Sequence, residues 1–303
     1  MKTLKKIIAL LVVMIYFSSC DYVTVPLKPR TIVTSGDTNK VYKNILVEDY
    51  TGSTCVNCPF AAEELDTLIS IYGSRIIPMS VNAGNFATPV PTYSLNLQSP
   101  VGDAYDAFFN MSGTGNPCGM INRKGNPLNA KYLLWGQWGA SVQNIIQNDT
   151  AFIKLTLSTT FDTTSRVLSV TATSTFLKSL SGTYNLVVLF TQDNIIGPQK
   201  KSGTAGISNY VHRFVLKDAL TSTWGDALVT AGSNTNQVIT KTYSYNVAAT
   251  YPTAAMATNN PGNKPPTICD FRQCSIVAYI YDATSNGPTQ YEVLQAEQKK
   301  IYP

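Results

Sequence analysis

Two cysteines three positions apart, Cys55 and Cys58, with Pro59 directly behind them, are the residues of this chain best suited to covalent chemistry. At the start of a helix a thiol meets unsatisfied backbone N–H groups and the positive end of the helix dipole, and both stabilise its thiolate. Cys55, nearer solvent, is then the expected nucleophile, and Cys58, one turn into the helix, can close the disulfide. The same spacing equally suits a structural staple between turn and helix. The residues alone leave both uses open.

Either use needs a strand that ends just before Cys55 and a helix that begins beside it. Asn44–Tyr50 is strand-like, and Gly52 marks the turn that follows. Ala61, Leu65, Leu68, Ile69 and Tyr72 then recur as one apolar face of a helix. Pro59 fits its first turn, where a missing N–H is harmless. A second apolar strand, Arg75–Val81, completes the order strand, CxxC, helix, strand. Residues 82–112, rich in Asn, Pro, Ser and Tyr, read as a long insertion. A short strand is expected at Asn116–Asn122, closed by a turn at residues 123–125. Trp135, Trp138, Val142, Ile145 and Ile146 then form another helix face that ends near Asn148.

From Phe152 the pattern changes to alternation. Ile153, Leu155, Leu157 and Phe161 point one way, and Leu168, Val170, Ala172 and Phe176 repeat the theme. Further strands are expected at Tyr184–Thr191, Val238–Tyr245, Ser275–Tyr281 and Tyr291–Ile301, with no second βαβ pattern. The sequence thus predicts an α+β chain of two domains, an α/β domain over 43–149 and an all-β, Ig-like sandwich over 150–303.

The N-terminal end reads as targeting. Lys2, Lys5 and Lys6 precede an apolar run, Ile7–Phe17, that is shorter than the roughly 20 residues a bilayer-spanning helix needs. Ser18-Ser19-Cys20 follows, and the whole resembles a bacterial lipoprotein signal. That resemblance implies removal of residues 1–19, lipid on Cys20 and a membrane partner, with 20–42 as a tether. Losing three lysines takes the net charge from +5 to +2. No basic cluster survives to follow a phosphate backbone, so nucleic acid is not expected as a partner. Export also favours disulfides over zinc. Cys269 and Cys274 are expected to form a loop disulfide, and Cys118 is left unpaired.

The segment Ile45–Tyr72 resembles the strand, active-site turn and helix of thioredoxin-like proteins. In that resemblance Asp49 occupies the place of a buried acid that assists proton transfer, and Pro117 that of a cis-proline facing the CxxC. Two departures stand out: Thr54 replaces the usual aromatic residue before the first cysteine, and Cys118 follows Pro117. A cysteine there is expected to lie close enough to engage the CxxC. A narrower resemblance rests on Val47–Pro59, on Tyr210–Leu216 and on Glu292–Ala296. These segments are similar to the Omp-28-related family of outer-membrane lipoproteins, which implies a thioredoxin-like domain followed by a β-rich one at the outer membrane.

Other chemistries find little support. His212 is the one histidine, in a strand-like setting where a structural role is expected. A single histidine argues against histidine-rich metal sites and leaves a Ser-His-Asp hydrolase without a nucleophile motif. No glycine-rich phosphate loop is present, so no cofactor or metal is expected. Two readings of function remain. One is a binding or structural module for envelope partners. The other is a thiol–disulfide exchange protein using Cys55, Cys58, Asp49 and Pro117.

Overall fold

The computed structural model describes residues 40–253, 256 and 266–302. Cys20, the segment 1–19 and most of the 20–42 tether lie outside the described residues. From Val41 onward the chain forms one compact unit.

The strand order around the CxxC is as expected. Strand β1 (Ile45–Thr51) and strand β2 (Ile76–Asn82) pair in parallel, Ile45 opposite Ile76 through Thr51 opposite Asn82. Parallel neighbours need a crossover, and helix α1 (Cys58–Tyr72) supplies it. Both strands are buried along almost their whole length, as strands with both faces covered must be. Helix α2 (Pro100–Phe109) and the short α3 (Met111–Thr114) follow, then β3 (Cys118–Ile121), antiparallel to β1, and the edge strand β4 (Leu133–Leu134). Helix α4 (Trp138–Asn148) ends this half.

The expected insertion at 82–112 is not irregular. Its second part is α2, begun by Pro100 and capped by the Ser99 hydroxyl, which accepts from the Gly102 N–H. Val101, Tyr105 and Phe109, spaced by four, bury one face of it. The polar composition of the surrounding segment hides this short apolar stripe.

The second half opens with β5 (Ile153–Phe161) and β6 (Val167–Phe176), followed by β7 (Tyr184–Gln192) and the hairpin of β8 (Ile195–Gln199) with β9 (Ile207–His212). Next come β10 (Val215–Ala219), β11 (Asp226–Val229), β12 (Val238–Asn246), the short pair β13 (Thr250–Tyr251) and β14 (Thr267–Ile268), then β15 (Cys274–Asp282) and β16 (Val293–Lys300).

These strands do not build a separate sandwich, and the expected division at 149/150 is corrected accordingly. One sheet runs β16-β15-β7-β10-β2-β1-β3-β4, with β11 also on β7. The join is β10, which pairs with β2 in parallel at Val215–Ser80 and with β7 antiparallel. A strand buried like β2 would otherwise leave a row of N–H and C=O groups without partners. β5, β6 and β12 form a separate three-stranded sheet, facing β7 and β15 across Leu168, Val170, Phe176, Val188, Phe190 and Ile276. The chain is α+β, but one layer of the expected sandwich is the continuation of the sheet that carries the CxxC.

The helices cover the other end of that sheet. α1 and α4 pack on one face through Ile45, Val47, Leu65, Leu68, Trp138 and Val142. α2 packs on the opposite face with Leu46, Tyr50, Tyr105, Phe109, Met120 and Tyr279.

Candidate functional site

Cys58 opens α1 and Cys55 lies in the turn before it, and the two are joined as a disulfide with Cα atoms 5.4 Å apart. The turn is tight: the Cys55 N–H donates to Gly52 O at 3.0 Å. A Cβ on Gly52 would lie 2.3 Å from the carbonyl of Phe86, so only glycine admits that approach.

The expectation that Cys55 faces solvent is corrected. Both cysteines are 2% exposed. On one side the Thr54 N–H and hydroxyl donate to Phe86 O at 3.1 and 2.9 Å. On the other, the end of β8 and the turn after it lie along the CxxC segment. Gln199 Nε2 donates to Gly52 O and Cys55 O at 3.1 and 3.0 Å, the Lys200 N–H to Ser53 O at 2.9 Å, and the Ser202 N–H to Val56 O at 2.8 Å. Of the two residues between the cysteines, Val56 is 44% exposed.

Asp49 projects from β1 toward α1, since it follows Ile45 and Val47 on alternate positions of the strand. It is buried, its Oδ1 has no hydrogen-bond partner, and burial lifts its carboxyl to about 7. Asp49 and Cys58 line one cleft of about 240 Å³ between α1 and the β9 strand. The same cleft receives Tyr210 and His212 from β9, Glu63 and Asp66 from α1, and Lys201 and Arg213.

His212 was expected to be merely structural, and the fold places it in this cleft with Asp49 and Cys58. Burial, reinforced by the nearby Lys217 cation and opposed by a hydrogen bond to the Pro198 backbone, lowers its imidazole to about 4. Its Nε2 has no partner, and the ring sits 5.0 Å from that of Tyr210. The Tyr210 phenol is pushed well up, first by burial and then by Asp49, Asp66 and Glu63. The available signal was the alternation Tyr210, His212, Phe214, which puts the histidine on one strand face with two aromatic residues. Gln199, the donor that ties β8 to the CxxC turn, carried no sequence signal at all.

The remaining expected site residues fall elsewhere. The Asn116–Pro117 peptide is cis, just before β3, and Pro117 is not among the residues lining the cleft. Cys118 is directly opposite Tyr50 in the ladder, so its side chain joins the α2 face with Leu46, Tyr50 and Met120. It therefore lies across the sheet from the CxxC, and the expectation that it engages the CxxC is corrected. Its thiol is pushed up, mainly by burial and then by Asp49 and Asp106. Cys269 and Cys274 do not form the expected disulfide. They are buried thiols with sulfurs 3.7 Å apart, separated by the turn Phe271–Gln273, and Cys274 Sγ donates to Asp270 O at 3.2 Å. A bonded pair needs about 2.05 Å. Among the described residues no group of three or more His, Cys, Asp or Glu is arranged to hold a metal ion.

The family described as outer membrane protein Omp28 matches residues 102–259, just over half of the 303-residue chain. The chain belongs to the Omp28 family. It is thus an envelope protein, in keeping with the resemblance read from its sequence. The matched stretch of this Omp28 member runs from α2 to beyond β12 and contains His212, while Asp49, Cys55 and Cys58 lie before it. Comparison with curated proteins gives no match for the chain. Among solved structures, HBP35 of Porphyromonas gingivalis is similar with a TM-score of 0.60 and 16% identity, over 86% of this chain and 76% of that one. A structural-genomics protein of Agrobacterium tumefaciens gives a TM-score of 0.49 and 11% identity, over 86% and 96% of the two chains. The likeness to HBP35 concerns the fold alone. Among the described residues no helix is long and apolar enough to cross a membrane.

Proposed function

We propose that this Omp28-family protein is an outer-membrane lipoprotein, anchored through Cys20, that serves as a binding module for envelope partners on a thioredoxin-like scaffold. In this reading β1, α1, β2 and β3, with the cis peptide before Pro117, are the thioredoxin-like part, and β5, β6 and β12 with the far end of the long sheet supply the Ig-like sandwich. The Cys55–Cys58 disulfide is a staple that fixes the turn between β1 and α1. The observation that carries this is the burial of both cysteines in a turn that donates hydrogen bonds to the Phe86 carbonyl on one side and accepts them from Gln199, Lys200 and Ser202 on the other. A thiol that exchanges must be reached by another sulfur. Exposed Val56 and Phe86, on segments bonded to each other at Thr54, offer apolar contact around the sealed turn.

A structural disulfide resists reduction, with a potential below roughly −300 mV. Equilibration of the purified protein with dithiothreitol buffers is expected to give such a value, and a bond reduced as readily as that of a redox enzyme overturns the reading. Cys20→Ser is expected to release the protein from the membrane fraction and to abolish labelling by a fatty-acid analogue.

The second reading, thiol–disulfide exchange through Cys55 and Cys58, is favoured by one observation: Asp49, with a bare oxygen and a carboxyl near 7, opens into the same cleft as Cys58. A carboxyl poised there suits proton exchange with a thiol at neutral pH. It predicts that Cys58→Ser captures envelope proteins as mixed disulfides through Cys55.

A further inference from the structure

The cleft between α1 and β9 contains two hydrogen-bond acceptors that nothing in the chain satisfies. Asp49 Oδ1 and His212 Nε2 are both buried without a partner, and both residues line the same space of about 240 Å³. A buried polar atom left unpaired destabilises the fold, so two in one cleft point to a group that completes them from outside. The imidazole interacts with the Pro198 backbone, and its Nε2 is left without a partner, so a neutral ring that donates through Nδ1 offers Nε2 as an acceptor. His212 therefore presents an acceptor, as an Asp49 carboxylate does.

Most of the charges around the cleft already have partners. Glu63 at the rim is paired with Lys201 at 2.6 Å, and Asp66 is paired with Arg213, which also reaches toward Asp193 at 3.6 Å. The rim carboxylates are thus paired. The Lys217 cation that bears on His212 is held by Thr267 Oγ1, outside the residues that line the cleft. The Asp49 carboxyl, raised to about 7 by burial and so partly ionised at neutral pH, has no cation beside it among the described residues. An anion entering here would face that carboxylate and two lone pairs with no donor to meet it. A neutral donor would fill the hydrogen bonds and leave the charge. A cationic N–H group answers both. Pro59, Ala62, Leu65, Ile207 and Val215 provide apolar wall for the methylenes behind such a group. The volume exceeds the roughly 30 Å³ share of one water several-fold, enough for a charged head with part of its stem.

We propose that this cleft is a binding site for an alkylammonium or guanidinium group, held between Asp49 and His212. The proposal deepens the binding reading above and rests on it for its use by the cell. The head group donates to both acceptors, and the stem lies along the α1 wall. The source is either a free amine or a lysine or arginine side chain of a polypeptide, and the chemistry at the two acceptors is the same.

The test is titration of the full chain with n-butylammonium and n-butylguanidinium, followed by NMR at the Asp49 carboxyl carbon and the His212 ring nitrogens. For so small a ligand a dissociation constant on the order of 1 mM is expected. n-Butanol and butyrate, of similar size, are expected to leave both signals in place. Asp49→Asn and His212→Gln are each expected to weaken the cations about tenfold or more, with far-UV circular dichroism and melting curves showing that the variants fold. A doubly capped lysine tripeptide that binds more tightly than butylammonium assigns the site to a polypeptide side chain, and weaker binding assigns it to a free amine. The proposal is overturned if neither cation saturates at about a hundred times the expected constant. It is also overturned if butanol binds as well as the cations, or if both folded variants bind like the parent. Because reducibility of the disulfide is measured separately, loss of this proposal leaves the binding reading standing, and the reverse.

Discussion

Glu48 and Asp49 are neighbours in β1, yet their carboxyl groups lie on opposite faces of the sheet and meet opposite surroundings. Glu48 accepts two hydrogen bonds from Arg123, at 2.8 and 2.7 Å, with both side chains fully buried. The rings of Tyr105, Phe109 and Tyr279 lie 4.5 to 5.0 Å from the guanidinium carbon. Asp49 has no such partner and keeps a bare oxygen. One residue along a strand changes the face, and here the face separates a structural ion pair from a site.

Breaking the Glu48–Arg123 pair from one side strands a buried charge. Arg123→Met is expected to destabilise the protein by about 3–5 kcal/mol. Glu48→Gln is expected to do similar damage, while the double variant Glu48→Gln/Arg123→Met recovers much of the loss because no charge is then left alone. Urea unfolding of the four proteins measures this. An additive double variant would contradict it.

Asp49 and His212 give stability opposing pH slopes. Asp49 keeps its proton to about 7 in the fold but loses it near 4 when unfolded, so stability falls as pH rises through that window, by about 4 kcal/mol in all. His212 is neutral in the fold down to about 4 but charges near 6.5 when unfolded, so its contribution falls as pH drops from 6.5 to 4, by about 3 kcal/mol. The two slopes largely cancel below pH 6.5. Asp49→Asn is expected to be more stable than the parent at pH 8 and to show a rise from pH 4 to 6.5. His212→Gln is expected to lose stability steadily over pH 4 to 7. Denaturation midpoints across pH read both slopes, and parallel curves for all three proteins would refute the assignment.

Gln199 closes the cover over the disulfide with bonds to Gly52 O and Cys55 O and a third to Lys200 O at 3.1 Å. Removing a donor of this kind leaves buried carbonyls unpaired, at about 1–3 kcal/mol. Gln199→Ala is expected to speed reduction of Cys55–Cys58 by dithiothreitol roughly tenfold, as the hairpin of β8 and β9 opens more often. An unchanged rate would show that the hairpin does not limit access.

Lys217 is buried in β10, with its Nζ donating to Thr267 Oγ1 at 2.8 Å beside the thiols of Cys269 and Cys274. Burial lowers it to about 8, with the two cysteines acting the other way. Stability is therefore expected to rise between pH 8 and about 10.4, as the unfolded chain alone stays protonated. Lys217→Met should remove that rise and be as stable as the parent or more so at pH 7. The sulfurs are also close enough for mild oxidation to join them after a small shift, and peptide mapping before and after treatment with oxidised glutathione detects the bond.

Much of the local architecture was legible in the sequence because local spacing dictates it. The apolar face from Ala61 to Tyr72 and Pro59 at its head specify α1, and with it the place of Cys55 and Cys58. The alternation of Leu168, Val170, Ala172 and Phe176 specifies β6 down to the buried face. Helix α2 was missed because its stripe is only three residues long within a polar stretch.

What the sequence by itself determined is the disulfide at a strand-to-helix junction, the buried strand on each side of α1, and the alternating strands of the second half. All of these follow from residues within about two turns or one strand of each other. Only the tertiary structure decided that β10 joins the two halves into one sheet, that the end of β8 and the turn after it cover the disulfide, that Cys118 lies on the wrong face to reach it, and that His212 shares a cleft with Asp49. Those depend on pairings between segments more than a hundred residues apart, or on which face a strand turns to its neighbour. Periodicity records that a residue is buried but not what it is buried against.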